Sequence, residues 1–308
     1  MVALPTTAAS SGNAALTNSG SASSEGGLAL SSDGRYLVLA GYNQNAGATG
    51  SVGGTASGTV NRVVGRVDAS GTIDTTTRIS AAFSTNNVRG ATSDDGTRFW
   101  VGGAGTSAAT PANTGGIWFV SRGSTGAATQ IMATTALNNA RWPQIFGGQL
   151  YGSASTGSTY NNVFAVGAGL PMSGTVPFTV VPGMPATGAS PFGYVFFDLD
   201  GTAGFDTLYV ADDTTPSPNT THGIQKWTLG GGGTWTKAAT FNLSTAVGFR
   251  GLAGIASGST VTLVASTDEA APRRVVFTDT GSGTPTSSVI ATSATNTAYR
   301  GIALSPHL

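Results

Sequence analysis

The segment 198–206 carries the strongest pattern of chemically useful side chains in the sequence. It reads DLDGTAGFD, so the carboxylates of Asp198, Asp200 and Asp206 are separated by small residues and glycine. Ca²⁺ takes about six to eight oxygen ligands, and a glycine-containing acidic loop supplies several of them. The pattern predicts a Ca²⁺ site, to which Asp212 and Asp213 could contribute. The alternative is a turn in which Asp side chains bond local backbone amides.

A second pattern is a basic residue near the start of several predicted innermost strands. The positions are Arg89, Arg141, Arg250 and Arg300, and three of them precede a glycine. If these strands line a central axis, the guanidinium groups point toward one mouth of a channel and would bind an anion or a carboxylate there. Glu25 occupies the corresponding place in the first repeat and could pair with one of them. The alternative is that each arginine bonds carbonyls between repeats and acidic turn residues.

Motifs of the established catalytic types are missing from the sequence. We find no nucleophile elbow, P-loop or HExxH motif, and the two histidines are His222 and His307. A lone histidine is more often a surface or hydrogen-bonded residue than a catalyst. The sequence therefore favours a binding or scaffold protein without catalytic activity and without catalytic residues. The alternative is a secreted hydrolase or lyase with its site at one channel mouth, since propellers assemble sites from distant loops.

Composition restricts the partners and the compartment. The 308 residues include no Cys, 46 Gly, and 14 basic against 14 acidic side chains. Zero net charge argues against nucleic acid and against an electrostatic membrane anchor. No apolar run approaches the roughly 20 residues that span a bilayer. We expect a monomer without membrane insertion, an unknown protein or glycan as its partner, and an extracellular or cell-surface location with no signal peptide in this chain.

Short apolar runs bounded by Gly, Asp, Asn, Ser or Pro recur along the chain and predict β-hairpins. Each hairpin is followed by a second one, so the repeat contains four strands. Its first strand begins near residues 27, 89, 141, 193, 250 and 300. Four strands in a repeat of roughly 50 residues are typical of β-propeller blades. The long first interval is explained by an insertion at 43–59, which we interpret as a flexible surface loop.

The repeat predicts an all-β fold with a single β-propeller domain over 1–308. The predicted blades are approximately 25–80, 88–135, 141–182, 192–243, 249–292, and 299–308 together with 1–24. The sixth blade is thus incomplete and closed by the two terminal segments. A five-bladed propeller with overlapping ends is the alternative. All five tryptophans fall in predicted strands, where burial between blades explains them better than carbohydrate stacking does.

Several segments resemble a known group of sequences. They are ALPTT at 3–7, SDGRYL at 32–37, NRVVGRVD at 61–68, GYVFFDLD at 193–200, DTLYVADD at 206–213 and GIQKW at 223–227. This pattern resembles the β-propeller-like repeat regions of large secreted or surface bacterial proteins, and the resemblance covers most of the chain. It implies a propeller fold and an extracellular location. It implies no chemistry, because those regions are functionally uncharacterised.

Overall fold

A computed structural model describes residues 2–105, 113–155, 158–214, 222–243 and 247–307. Within them the regular structure is almost all β, with one 3-10 turn at Val52–Gly54. The strands form five sheets of at least four strands each, which are five propeller blades. The all-β propeller prediction is confirmed in its five-bladed alternative. The outermost residues of the predicted domain, 1 and 308, lie outside the described residues.

The first strands of the five sheets follow one another along the chain. The first has the order β1-β2-β3-β4-β8, with β1 Leu28–Leu30, β2 Tyr36–Tyr42, β3 Arg62–Asp68, β4 Ile73–Ile79 and β8 Thr125–Gly126. The second has the order β13-β9-β7-β6-β5, with β5 Val88–Ser93, β6 Arg98–Gly103, β7 Gly116–Ser121, β9 Thr129–Ala133 and β13 Thr175–Val176. The third has the order β10-β11-β12-β14, with β10 Gln144–Phe146, β11 Gln149–Ala154, β12 Asn162–Val166 and β14 Phe178–Val180. The fourth runs from β15 Pro191–Phe197 through β16 Thr207–Asp212 and β17 Gly223–Leu229 to β18 Trp235–Phe241. The fifth runs from β19 Phe249–Ser257 through β20 Thr260–Thr267 and β21 Arg273–Asp279 to β22 Thr286–Thr292.

The chain divides into two compact units. The first unit comprises Met1–Gly152, Ala165–Thr179 and Leu304–Leu308, and the second comprises Ser153–Phe164 and Val180–Ala303. Among the described residues, no helix has the length and apolarity that crossing a bilayer would require.

Asp-Gly turns set the hairpins, as the sequence predicts. Between β1 and β2, Gly34 has a φ of +75°, which a glycine adopts at no steric cost. The Ser31 hydroxyl donates to Asp33 Oδ1 at 2.5 Å and holds the turn. The register that results pairs Leu30 with Leu37.

Strand β2 shows how both faces of a blade are used in the first unit. Val38, Ala40 and Tyr42 point to one face and form a buried cluster with residues of the second sheet that include Phe99 and Val101. Leu39 points to the opposite face, because successive side chains of a strand alternate. Each face of this sheet therefore needs its own apolar partner.

The N-terminal segment covers that second face of the first sheet. Leu16 is 4% exposed and packs in a cluster with Leu39 and Val63. Gly65 leaves the space for it, because a Cβ there would lie 2.5 Å from Leu16 Cδ1. The Thr75 hydroxyl donates to the Ala14 carbonyl at 2.7 Å and fastens the segment to β4.

A sixth blade is not confirmed. Residues 293–307 contain no strand, and residues 2–27 contain only a single bridge, from Thr17 to Tyr42. In the second unit, the Ser266 hydroxyl donates to the Arg300 carbonyl. This carbonyl therefore has a hydrogen-bond partner although Arg300 lies in no strand. In the first unit, the His307 amide donates to the Gly34 carbonyl at 3.0 Å. The terminal segments thus pack onto blades already formed instead of forming a sheet of their own.

The five tryptophans are buried, as predicted, but Trp142 lies just before β10 and not within a strand. Their exposed fractions are 8% or less. The insertion 43–59 differs from a featureless loop, since it contains the 3-10 turn and forms one wall of a cleft.

Candidate functional site

The predicted arginines are divided between the two compact units. In the first unit, Arg89 is the second residue of β5, and its Nη1 donates to the Asn139 side chain and to the Ala140 carbonyl. Arg141 precedes β10 and is half-buried. In the second unit, Arg250 is the second residue of β19 and Arg300 lies beyond β22. The ring of four, which draws on both units, stays a prediction.

Glu25 is fully buried in the first unit. Its Oε1 accepts hydrogen bonds of 2.6 Å from the Tyr42 hydroxyl and from the Asn87 amide, and its Oε2 accepts the Ser19 amide at 2.7 Å. Burial and the neighbouring Glu25 raise the pKa of Tyr42 far above its usual range, so the phenol stays protonated and donates. Glu25 therefore organises the start of the first blade.

Arg62 was not singled out in the sequence, yet it is the largest fully buried cation of the first unit. Its guanidinium lies 5.0 Å from the ring centroid of Tyr42, which is also fully buried. Its Nη2 donates to the carbonyls of Thr55 at 2.8 Å and Phe83 at 2.6 Å. Burial lowers its pKa to about 10, which leaves it charged at neutral pH. Its position at the start of an apolar strand was the only signal in the sequence.

The acidic loop of the second unit brings the three predicted ligands together. One oxygen from each of Asp198, Asp200 and Asp206 lies within 4.8 Å of the others. Asp206 Oδ2 also accepts the amides of Leu199 at 2.7 Å and Asp200 at 2.8 Å. Burial alone would raise the pKa of Asp206, but hydrogen bonds from Thr207 and these amides outweigh it and lower the pKa.

The donor set of this loop fits part of a Ca²⁺ shell. Three carboxylates in a glycine-containing loop are the hard oxygen donors that Ca²⁺ prefers. Asp212 and Asp213 do not join them in the described cluster. Asp212 instead accepts hydrogen bonds from the Ser190 amide at 3.0 Å, the Gln225 amide at 3.0 Å and the Thr214 amide at 2.7 Å. Ca²⁺ binding at 198–206 stays a prediction.

A different cluster of the second unit lies at strand ends of the fourth and fifth blades. Asp213 follows β16, Asp268 follows β20, and Arg250 stands at the start of β19. The first two strands of a blade are antiparallel, so the second strand ends where the first one begins. The Asp268 amide donates to the Gly248 carbonyl at 3.0 Å, which fixes the end of β20 beside the start of β19.

Arg250 joins the two carboxylates of this cluster. Its Nε lies 2.6 Å from Asp213 Oδ2, and its Nη2 lies 3.8 Å from Asp268 Oδ2. The Ser190 hydroxyl donates to Asp213 Oδ1 at 2.5 Å. The guanidinium also stacks on Phe192, 5.1 Å from its centroid. Asp213 thus forms a close ion pair with Arg250, whereas Asp268 lies farther from the guanidinium.

The surroundings of Asp268 shift the pKa of its carboxyl group. Burial raises the pKa of Asp268, Arg250 lowers it, Asp213 raises it, and the net direction is upward. Its side chain is nevertheless 24% exposed, so solvent reaches it. A reachable carboxylate with a raised pKa is a stronger base than an ordinary Asp, and the neighbouring guanidinium stabilises negative charge. This arrangement suits proton abstraction from water beside a developing oxyanion.

The sequence alone did not reveal this cluster. Asp268 looked like one of several acids in turns, and Asp213 like an additional Ca²⁺ ligand. The available signal was positional: both follow a predicted second strand, and Arg250 opens a predicted first strand.

Comparisons with protein-family models and with curated proteins found no match. Several solved structures are similar in fold. A GH74 enzyme of Niastella koreensis is 17% identical over 85% of this chain and 38% of its own, with a TM-score of 0.51. A periplasmic gluconolactonase of Pseudomonas aeruginosa is 17% identical over 87% of this chain and 71% of its own, with a TM-score of 0.50. A gluconolactonase of Xanthomonas campestris is 16% identical over 90% and 76%, with a TM-score of 0.49.

The first two of these comparisons support the propeller fold. This chain spans 38% of the length of the GH74 enzyme. The interpretation as a binding or scaffold propeller without catalysis is contradicted, because the propellers that the chain resembles are enzymes.

Proposed function

We propose that the protein is a secreted hydrolase whose site lies in the second unit, where β19 begins and β16 and β20 end. The observation that carries the proposal is Asp268, a reachable carboxylate with a raised pKa, 3.8 Å from the Arg250 guanidinium. The fold shared with enzymes, one of them named a periplasmic gluconolactonase, supports both the activity and a location outside the cytoplasm.

The cluster suits the hydrolysis of an ester carbonyl, and we propose a sugar lactone as the substrate class. Ionised Asp268 takes a proton from water, and the water oxygen forms a bond to the carbonyl carbon. Arg250 stabilises the negative charge that develops on the carbonyl oxygen. The carbon–oxygen bond of the ring then breaks, and the proton held by Asp268 passes to the leaving oxygen, which leaves a hydroxy acid.

The ion pair and hydrogen bond of Asp213 favour a lactone over a glycoside as the substrate. Glycosidases use a pair of carboxyl groups, one as acid and the other as base or nucleophile. Here Asp213 bonds Arg250 at 2.6 Å and Ser190 at 2.5 Å, and it is only 8% exposed. One carboxylate remains for proton transfer, which is what lactone opening needs.

The test compares neighbouring variants on a defined substrate panel. Acid release from gluconolactone is followed by titration at constant pH, with neutral aryl glycosides as the second arm. Asp268→Asn is expected to lower kcat at least about 100-fold, as loss of a general base does. Glu269→Gln is the matched control, because Glu269 pairs with Arg273 at 2.7 Å beside the site and should leave kcat unchanged. Equal losses in both variants, or cleavage of the glycosides alone, would refute the proposal.

A further inference from the structure

The first compact unit contains a cleft that the proposed hydrolase chemistry does not use. It has a volume of about 710 Å³ and lies between residues 17–21 and the insertion at 44–55. Pockets of roughly 300–1,000 Å³ are the usual size for small-molecule ligands. The cleft is therefore large enough for a few sugar rings or a compound of that size.

The lining of the cleft carries no charge. Its fifteen residues are hydroxyl and amide residues, glycine, alanine and one valine, with no Asp, Glu, Lys, Arg or His among them. A charged ligand gains affinity from an opposite charge, and this lining holds no charged side chain to supply one. The chemistry of the walls selects a neutral ligand that both donates and accepts hydrogen bonds.

The hydrogen-bonding groups on the walls match that description. Gln44 and Asn18 offer amides, and Thr49 and Ser51 offer hydroxyls, so the walls hold both donors and acceptors. The glycines 47 and 50 have open space where a Cβ would stand, which gives a ligand access to their backbone.

Buried charges behind the walls fix their shape. The Ser19 amide donates to Glu25 Oε2 at 2.7 Å, which anchors one wall. The Arg62 guanidinium bonds the Thr55 carbonyl at 2.8 Å, which anchors the other wall. The Thr17 hydroxyl donates to the Gln44 carbonyl at 3.0 Å and ties the walls together. A cleft held in this way loses little conformational entropy when a ligand binds.

We propose that this cleft binds a neutral saccharide through hydroxyl and amide hydrogen bonds. The lining contains no aromatic ring, so binding relies on hydrogen bonds without stacking and is weak for each sugar unit. This inference goes beyond the proposed hydrolase, because it concerns residues of the first unit and requires no bond cleavage.

The experiment measures binding by NMR of the whole chain, titrated with cellotetraose, mannotetraose and laminaritetraose. A tetragalacturonate arm adds negative charge and a chitosan tetramer arm adds positive charge. At least one neutral tetramer should shift the Gln44 side-chain amide and the backbone of 44–51. Gln44→Ala with Ser51→Ala should weaken that binding about tenfold, since each lost hydrogen bond typically costs a factor of a few.

Controls separate this proposal from the hydrolase. Ser287→Ala with Ser288→Ala removes two exposed hydroxyls from β22 and should leave the affinity unchanged. Asp268→Asn should also bind normally, so a failed hydrolase and a failed cleft give different results. No neutral tetramer binding, binding that the Gln44 and Ser51 variant does not weaken, or equal binding of the charged tetramers would overturn the proposal.

Discussion

A coupling between Leu16 and Gly65 is expected if the N-terminal segment replaces a sixth blade. Gly65→Ala places a Cβ 2.5 Å from Leu16 Cδ1 and 3.2 Å from Thr75 Cγ2, inside a cluster with little room to move. Overpacking of this kind costs about 1–3 kcal/mol. Leu16→Ala removes a side chain that is 4% exposed and costs about 2–5 kcal/mol.

The two substitutions together should cost less than their sum. Leu16→Ala deletes the Cδ1 atom that the new Cβ meets, so the overpacking is relieved and a coupling of about 1–2 kcal/mol is expected. Free energies of unfolding from urea titrations of the four proteins measure it.

The matched control is Gly254→Ala, whose Cβ would lie 2.6 Å from Leu263 Cδ2 in the fifth sheet and which should not couple to Leu16. Additive costs for Gly65 and Leu16, or equal coupling in the control pair, would refute the packing of the N-terminal segment on the first sheet.

Three further predictions concern charged groups. Burial raises the pKa of Asp74, but hydrogen bonds from Thr76 and the ion pair with Arg122 at 2.6 Å outweigh it and lower the pKa to about 2. Asp74→Asn should therefore lower the free energy of unfolding by about 1–2 kcal/mol at neutral pH. The difference from the parent should vanish as the pH falls from about 4 through 2. Urea titrations at each pH measure it, and a difference that stays constant would contradict this. Excess Ca²⁺ should raise the melting temperature and a chelator should lower it, with both effects lost in Asp198→Asn with Asp200→Asn; an unchanged melting temperature eliminates the ion at 198–206. Glu25→Gln should cost about 1–3 kcal/mol, because the amide cannot accept the hydrogen bonds of Tyr42, Asn87 and Ser19 as the carboxylate does, and calorimetry showing a variant as stable as the parent would contradict that role.

The blades could be predicted because local signals encode them. The Asp-Gly turn at Gly34 and the alternation along Val38, Leu39 and Ala40 determine a hairpin with two apolar faces without any distant information. The number of blades could not be predicted in the same way. The run at 300–304 has the composition of a first strand, and only tertiary packing shows that its Arg300 carbonyl is satisfied by Ser266 instead of by a new sheet.

The candidate site was only partly predictable, for a similar reason. The spacing of Asp198, Asp200 and Asp206 within one loop brings them together, and the sequence shows that spacing. Asp213, Arg250 and Asp268 are separated by up to 55 positions and meet because strands of neighbouring blades end at one level. Arg62 was missed because its partners are carbonyls, and a carbonyl acceptor leaves no trace in side-chain composition.

The pH dependence of hydrolysis tests the central claim about Asp268 most directly. Because the base must be ionised and its pKa is raised, kcat/KM should rise with pH through a limb above the usual Asp value of about 4. Arg250 lowers the pKa of Asp268, so Arg250→Gln should move that limb to higher pH as well as slow the reaction. An acid limb that stays in place in Arg250→Gln, or one that persists in Asp268→Asn, would show that another group supplies the base.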